Sequence, residues 1–315
     1  MIVLFGGSKF QTIGRASGTF RCLNIRLRLL FTKNTSFYNE AGVFKMVDKI
    51  EFIEMIKKFG EERLHLKFDG SFEKFSDKDF SCNWVYATAK TKLKSIFDFP
   101  FEFYSDESKA KERISELRTD NYDTYFYHAE AHGGRNCPIT KELLNVSKAR
   151  QSYVILHEAY HSTCRLNDYN LQYAFEESSG RVVGLFGAIE FAQSIGDEAF
   201  YQAAIQQEKA WEMFAQFINA IWMETSAVLL DFPSQNLIEK MKKDIRNRAD
   251  SLSKKMFDSW EKKELQKDIN NAFLIRYRDY TIFYQKTKEI YLKENNVASA
   301  VKRYGEILNF KKEKK

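Results

Sequence analysis

The sequence predicts a mostly α-helical protein with a small β-sheet in its N-terminal part, an α+β fold. Proline is scarce: three prolines and 14 glycines stand among 315 residues, too few turn formers for a sandwich or barrel of many short strands. Apolar residues recur at helical spacing over most of the chain from residue 147 onward. Extended, aromatic-rich segments precede that point, and the 15% aromatic content can fill a sizeable core.

The N-terminal elements follow from local pattern. Apolar residues at helical steps predict a helix over 48–63. Runs of β-branched and aromatic residues predict strands over 84–88 and 99–104, and an amphipathic segment predicts a helix over 108–117. The alternating segment 123–132 predicts a further strand, which the glycine pair that follows it ends.

The second half of the chain reads as helix. The pattern predicts helices over 147–166 and 172–194, then nearly continuous long helices from 197 to 310. Two turns interrupt that region, at 231–234 and at Asn295-Asn296. The sequence therefore predicts one unit over 46–310, with an α/β part (46–146) and a helical part (147–310), followed by a basic tail at 311–315.

Residues 1–45 differ in composition from the rest. Six Lys and Arg and no acidic residue occur in the first 39 residues. Two interpretations remain open: an organellar targeting segment, or an upstream stretch outside the translated protein, with Met46 as the true start. We expect a cytoplasmic protein, and the extension keeps the cell envelope or an organelle as alternatives.

Charge and cysteine content exclude several classes of function. The net charge of +6 comes from the N-terminal extension, so the remainder is formally neutral and no nucleic-acid partner is expected. No run of 18 apolar residues occurs, so no transmembrane segment is expected. The four cysteines are isolated, which excludes a zinc ribbon and a CxxC redox motif.

The sharpest motif is His157-Glu158-Ala159-Tyr160-His161, an HExxH sequence preceded by an apolar run. On a helix, side chains four residues apart project from one face, so both imidazoles can bind one Zn²⁺. Glu158 can then act as general base toward a water molecule that the metal makes acidic. A chance pair of histidines on an amphipathic helix is the alternative, and the apolar run disfavours it.

A catalytic zinc site needs a third protein ligand, and Phe175-Glu176-Glu177-Ser178-Ser179-Gly180 offers two carboxylates. Spacing alone does not decide between Glu176 and Glu177. Small residues at helical steps on the same segment predict that this helix packs closely against the HExxH helix: Gly180, Gly184, Gly187 and Ala188.

Together these motifs resemble the predicted bacterial aminopeptidases of the gluzincin type. The resemblance covers about residues 46–309, including Trp84-Val85-Tyr86-Ala87-Thr88 and Asn270-Asn271-Ala272-Phe273-Leu274. It implies a zincin-like fold, peptide substrates, and Glu177 as third zinc ligand, with Glu176 where the family has Asn. The chain departs from the family at 131–136 and in lacking an N-terminal lipoprotein signal.

Further candidates follow once a peptidase is supposed. An oxyanion donor is needed, and Tyr280, which follows the Asn-Asn-Ala signature, is preferred over Tyr277. Either tyrosine has core packing as its alternative. Asn271 is a candidate to orient a helix or a ligand, with helix capping as its alternative.

The predicted strand over 123–132 contributes three more candidates. His128 and His132, four residues apart, would share one face and line the cleft. Glu130 lies on the opposite face. An aminopeptidase needs an anion for the α-ammonium group of its substrate, and Glu130 and Glu176 are both candidates.

Four functions therefore compete. The preferred one is a zinc aminopeptidase in which His157, His161 and Glu177 hold zinc, Glu158 is the base and Tyr280 steadies the oxyanion. The others are a zinc endopeptidase, a catalytically silent interaction protein that keeps the fold, and a nucleic-acid module. Spacing alone reaches only a zinc hydrolase, and the aminopeptidase assignment rests on the resemblance.

Overall fold

The computed structural model describes residues 40–76, 82–118, 121–131, 135–230 and 233–309. The described residues are mostly helical, with a small antiparallel sheet, so the expected α+β class is confirmed. The strands are β1 (Cys82–Ala89), β2 (Glu102–Tyr104) and β3 (Tyr122–Ala129). The helices are α1 (Glu40–Glu62), α2 (Glu107–Leu117), α3 (Lys141–Asn145), α4 (Lys148–Leu166), α5 (Tyr173–Ile195), α6 (Glu198–Leu230), α7 (Gln235–Lys255), α8 (Trp260–Leu265), α9 (Asn271–Thr281), α10 (Tyr284–Glu294) and α11 (Val297–Asn309).

The chain divides into two compact units, 1–51 and 52–315. The division falls inside α1. The packing and the site described below lie within the second unit. The predictions made for residues 1–39, for His132 and for the tail from 311 concern residues outside those that the structure describes.

The sheet has the order β2-β1-β3, and both pairings are antiparallel. Opposite Trp84 lies Tyr127, and opposite Tyr86 lies Tyr125, so four aromatic rings share one face. Helix α9 packs on this face, with the guanidinium of Arg276 4.0 Å from the centre of the Tyr127 ring. The sheet thereby supplies an aromatic wall behind α9.

Strand β3 ends at Ala129, three residues earlier than the sequence predicts. Ala129 pairs with Cys82, the first residue of β1, so β3 loses its described partner there. The next residue, Glu130, accepts a hydrogen bond at its carbonyl from the Thr140 hydroxyl (2.7 Å) instead of continuing the ladder. Alternation along the sequence cannot show where the neighbouring strand begins.

Helices α4 and α5 approach each other through the predicted small residues. Ser147 caps α4, accepting a hydrogen bond from the Arg150 amide. A Cβ atom added at Gly184 would lie 2.6 Å from the Tyr153 carbonyl oxygen, and one at Gly187 would lie 2.8 Å from Leu156 Cδ1. The close approach expected from the sequence is therefore confirmed.

The C-terminal region is more segmented than the nearly continuous helices that the sequence predicts. Between Lys255 and Val297 the chain forms three short helices, α8 to α10. Ser259 and Asn270 start two of them as N-caps, and Asn295 ends the third with a left-handed φ of 64°. Single polar residues thus start and stop helices inside one apolar pattern.

Helix α6 is long and apolar enough to cross a membrane when judged by length and composition, with a mean hydropathy of 1.3 over its most apolar window. One third of that window is buried within the protein. Core helices of globular proteins pass the same test, so this is weak evidence for a membrane span.

Candidate metal centre

Three donor atoms from α4 and α5 converge on one point. The two imidazole Nε2 atoms of His157 and His161 lie 3.2 Å apart. Glu177 Oε2 lies 3.5 Å from the first and 3.4 Å from the second. Two ligands bound tetrahedrally to zinc at about 2.0–2.1 Å are separated by about 3.3–3.4 Å. The triangle therefore matches three corners of a tetrahedral zinc site.

The chemistry of these atoms also suits a cation. His157 is 5% exposed and Glu177 is 6% exposed. Glu177 Oε2 is buried and finds no hydrogen-bond donor among the described residues. A buried carboxylate oxygen without a partner is costly, and a bound cation would remove that cost. Within the described ranges this is the one group of three such donors found.

Glu176 lies on the other side of His161 from this triangle. The Nδ1–H of His161 donates to Glu176 Oε1 at 2.7 Å. This bond leaves the Nε2 lone pair free to face a metal, the arrangement in which carboxylates usually support metal-binding histidines. Spacing left the two glutamates undecided, and the geometry puts Glu177 at the donor triangle and Glu176 behind His161.

The protonation of the triangle follows from burial and charge. Burial lowers the pKa of His157 to about 4, so this imidazole is neutral and free to act as a ligand. Burial also acts to lower the pKa of His161, but Glu177 and Glu176 outweigh it and hold that pKa well above its usual value. Without a metal, Nε2 of His161 therefore also holds a proton, which a bound cation would displace. Burial acts to raise the pKa of Glu177, and the two histidines instead hold it well below its usual range.

Glu158 lies beside the triangle without joining it. Its Oε2 is buried and has no hydrogen-bond partner among the described residues. Burial raises the pKa of this carboxyl to about 7, and nearby Glu177 adds to the rise while His161 opposes it. A carboxyl with this pKa can take up and release a proton near neutral pH.

A cavity of about 320 Å³ opens beside the triangle and is lined by Glu158, Glu176, Glu177 and both histidines. Its remaining walls are largely aromatic and include Trp84, Phe99, Phe101, Tyr169, Tyr173 and Tyr280. Sequence reasoning missed this wall as a site feature. The available signal was helical spacing, because Tyr173 precedes Glu177 by one turn on α5.

The two tyrosines proposed as oxyanion donors have different surroundings. Tyr280 lines the cavity, and its ring lies 6.2 Å from the His157 ring at an interplanar angle of 23°. Tyr277 is fully buried and donates its hydroxyl proton to Glu264 (2.7 Å), 3.1 Å from the Tyr125 hydroxyl. The structure therefore places Tyr280, and not Tyr277, at the cavity.

Asn271 positions α9, the helix that carries Tyr280. Its side-chain amide donates to the carbonyls of Ala89 and Lys90 at the end of β1, and its backbone N–H donates to Asp123. The capping role belongs to its neighbour Asn270, whose side chain accepts from the Phe273 amide. Asn271 therefore ties the start of α9 to the sheet.

The candidates on and after β3 are spread over different surroundings. The Nδ1–H of His128 donates to Asn83 (2.8 Å), and this imidazole does not line the cavity beside the triangle. Glu130 forms a two-point ion pair with Arg150, with contacts of 2.9 and 3.1 Å. That ion pair occupies both oxygens of the carboxylate proposed to hold an ammonium group.

Two buried arginines near Tyr280 were not predicted. The guanidinium carbon of Arg276 lies 4.3 Å from the centre of the Tyr280 ring, and that of Arg181 lies 5.0 Å from it. Helical spacing offered a signal here as well, because Arg276 precedes Tyr280 by one turn and Arg181 follows Glu177 by one turn.

Comparison with known proteins identifies one family. The model of the family described as putative aminopeptidase matches residues 39–315. No curated protein and no solved structure matches the chain.

Proposed function

The chain belongs to the putative aminopeptidase family, and from that membership we propose a zinc-dependent aminopeptidase of the gluzincin type with a zincin-like fold. The family supports peptide hydrolysis, and the donor triangle supports zinc as the metal. The single observation that carries the metal assignment is the set of three donor atoms, 3.2 to 3.5 Å apart, on two buried residues and one half-buried residue. Zn²⁺ bound there would supply a Lewis acid that makes water a nucleophile near neutral pH.

Glu158 is the proposed general base. It faces the cavity beside the triangle, and its pKa of about 7 suits a group that first accepts a proton from water and then passes it to the leaving amine. The Oε2 atom of Glu158 has no competing hydrogen bond within the described part of the chain.

Tyr280 is the proposed oxyanion donor. Burial raises the pKa of its hydroxyl well above the usual value, so the phenol keeps its proton and can donate it in a hydrogen bond. Donors aimed at developing negative charge are among the strongest contributors to acyl-transfer catalysis. The Tyr280 ring stacks near that of His157, one of the three residues of the donor triangle.

Peptides with large apolar residues are the proposed substrates. The rings of Trp84 and Phe101 stack with their centres 5.0 Å apart. The ring of Phe99 packs edge-on against Phe101 and Tyr173, with centre-to-centre distances of 4.9 and 5.7 Å. Half-exposed rings on a cavity wall bury further apolar area when a side chain packs on them. Glu176, which lines the same cavity and is about one quarter exposed, is the proposed anchor for the substrate ammonium group.

Peptide cleavage by the zinc-loaded full chain tests the proposal. Matched peptides with free and acetylated N-termini would be analysed by mass spectrometry, with Glu158→Gln as the control. We expect single N-terminal residues to be removed from the free peptides alone, and no cleavage by the control. Internal cuts in both peptide sets would identify an endopeptidase instead. A zinc-bound protein that cleaves neither set would favour a catalytically silent interaction protein.

A further inference from the structure

A second cavity, of about 30 Å³, lies behind Glu158 and Tyr280. Three guanidinium groups line it, those of Arg150 on α4, Arg181 on α5 and Arg276 on α9. All three arginines are almost completely buried, at 6%, 2% and 3% exposure. Arginine is seldom buried to this extent unless an anion accompanies it.

Several N–H donors of these groups are unpaired. Arg150 Nη1, Arg181 Nε and two nitrogens of Arg276, Nε and Nη1, are buried and have no acceptor among the described residues. Arg150 is neutralised by Glu130. Arg181 and Arg276 instead contact aromatic faces. The guanidinium carbon of Arg181 lies 3.7 Å from the centre of the Trp211 ring, and that of Arg276 lies 4.0 Å from the centre of the Tyr127 ring.

The nearby carboxylates do not complete these pairs. Glu158 lines both cavities, and its Oε2 is a single unpaired acceptor, whereas the three guanidinium groups offer four unpaired nitrogen atoms. Glu261 on α8 does not line the small cavity. Burial raises the pKa of its carboxyl, while Arg150 and Arg181 oppose the rise, and neither of its buried oxygens has a hydrogen-bond partner among the described residues. The described residues that line the small cavity therefore carry more unpaired N–H donors than unpaired carboxylate oxygens.

We propose that this cavity is an anion site that binds one small monovalent anion, of which chloride is the type. A water-sized occupant needs about 10–15 Å³, and a halide is larger than water, so the volume suits one halide and not a carboxylate with its methylene groups. An anion here would accept hydrogen bonds from Arg181 and Arg276, which flank the Tyr280 ring, and would hold that ring in place.

This inference does not depend on the proposed peptidase activity, because anion binding stabilises the folded chain whether or not it cleaves peptides. The test measures the melting temperature of the full chain in gluconate, while chloride replaces gluconate at constant ionic strength. We expect a saturable rise of roughly 2–4 °C when chloride exceeds its Kd about tenfold. Crystals soaked in bromide should show an anomalous peak among the three guanidinium groups.

Arg181→Gln and Arg276→Gln should each reduce the chloride-dependent rise by more than half. Arg278→Gln is the matched control, because Arg278 is on the same helix as Arg276 but lines a different cavity and packs on Trp222. If neither cavity variant folds, the bromide peak in the unaltered chain decides. Identical melting in chloride and gluconate without a bromide peak would overturn the proposal. So would stabilisation by acidic peptides alone, since the anion would then come from the substrate.

Discussion

Glu176 and Glu177 are adjacent in the sequence, yet they contact opposite nitrogen atoms of one imidazole ring. The ring belongs to His161. Glu176 accepts a hydrogen bond from its Nδ1 at 2.7 Å, and Glu177 Oε2 lies 3.4 Å from its Nε2. Successive residues of a helix project about 100° apart, so one residue can meet the ring edge on each side. The pair therefore divides into a proposed metal ligand, Glu177, and a residue, Glu176, whose hydrogen bond orients the ring of another proposed ligand.

This division predicts unequal effects on zinc affinity. Glu177→Gln removes a proposed ligand, and we expect zinc binding to weaken by more than about 100-fold. Glu176→Gln keeps all three donors and should weaken binding by about 10–100-fold through the loss of ring orientation. Competition with a chelator of known affinity measures both values. A larger loss for Glu176→Gln would reverse the assignment of the two glutamates.

Removing the hydroxyl of Tyr280 should lower activity, whereas removing that of Tyr277 should lower stability. Removing the Tyr280 hydroxyl as Tyr280→Phe should lower kcat by about 10²–10³ and leave KM nearly unchanged, as expected for a donor used in the transition state. Tyr277→Phe removes a buried hydrogen bond to Glu264 and should cost about 1–2 kcal/mol of unfolding free energy. Steady-state kinetics and urea unfolding of both variants test the pair. Equal kcat for Tyr280→Phe and the unaltered chain would exclude Tyr280 as the donor.

Close helix packing predicts that Gly184→Ala damages the site from a distance. The added methyl group would lie 2.6 Å from the Tyr153 carbonyl oxygen, so α4 and α5 must separate, at a cost of about 1–3 kcal/mol. Zinc affinity should fall with it, because the donors come from both helices. Gly196→Ala is the control: its φ of 69° makes it unfavourable by about 1–2 kcal/mol, yet its added Cβ meets no atom within 4 Å. Unchanged zinc binding by Gly184→Ala would contradict the argument.

The Glu130–Arg150 ion pair predicts a pH-dependent contribution to stability. Burial acts to raise the pKa of Glu130, but the charge and hydrogen bonds of Arg150 outweigh it and leave that pKa below its usual value. A lowered folded-state pKa stabilises the protein above the unfolded pKa of about 4.3, and this contribution is lost as pH falls through the folded pKa.

Glu130→Gln should therefore cost about 3–5 kcal/mol at pH 7, because Arg150 would stay buried without a counterion. The difference between the variant and the unaltered chain should shrink as the pH falls below about 4. Denaturant unfolding at several pH values measures it. A difference that does not vary with pH would show that the pair contributes through shape alone.

The aromatic wall predicts a substrate preference. Phe99 is 51% exposed, so Phe99→Ala should leave the fold intact and lower kcat/KM for peptides with a large apolar residue at the cleaved bond by about tenfold. Peptides with small residues should lose little. Phe103→Ala is the matched control, since Phe103 is 46% exposed and does not line the cavity. Equal losses for both peptide classes would exclude Phe99 as a specificity residue.

Much of the fold could be predicted from the sequence because local patterns, such as apolar periodicity and helix caps, determine it. Helices α4 and α5 begin and end within two residues of the predicted bounds, since apolar periodicity and the Ser147 cap are local signals. The end of β3 was not predictable in this way, because it depends on where β1 stops pairing. The same holds for the division of the C-terminal region into short helices.

The sequence by itself placed the two histidines of the HExxH motif on one helix face, with Glu158 between them in sequence, and the stripe of small residues on the next helix. All of these follow from a helical repeat of 3.6 residues. The family resemblance favoured Glu177, and the Asn-Asn-Ala signature favoured Tyr280. Only the tertiary structure puts Glu177 at the donor triangle and Tyr280 at the cavity, and it alone pairs Glu130 with Arg150. The reason is physical: these outcomes depend on charges and rings brought together from distant segments, and local periodicity carries no information about such distances.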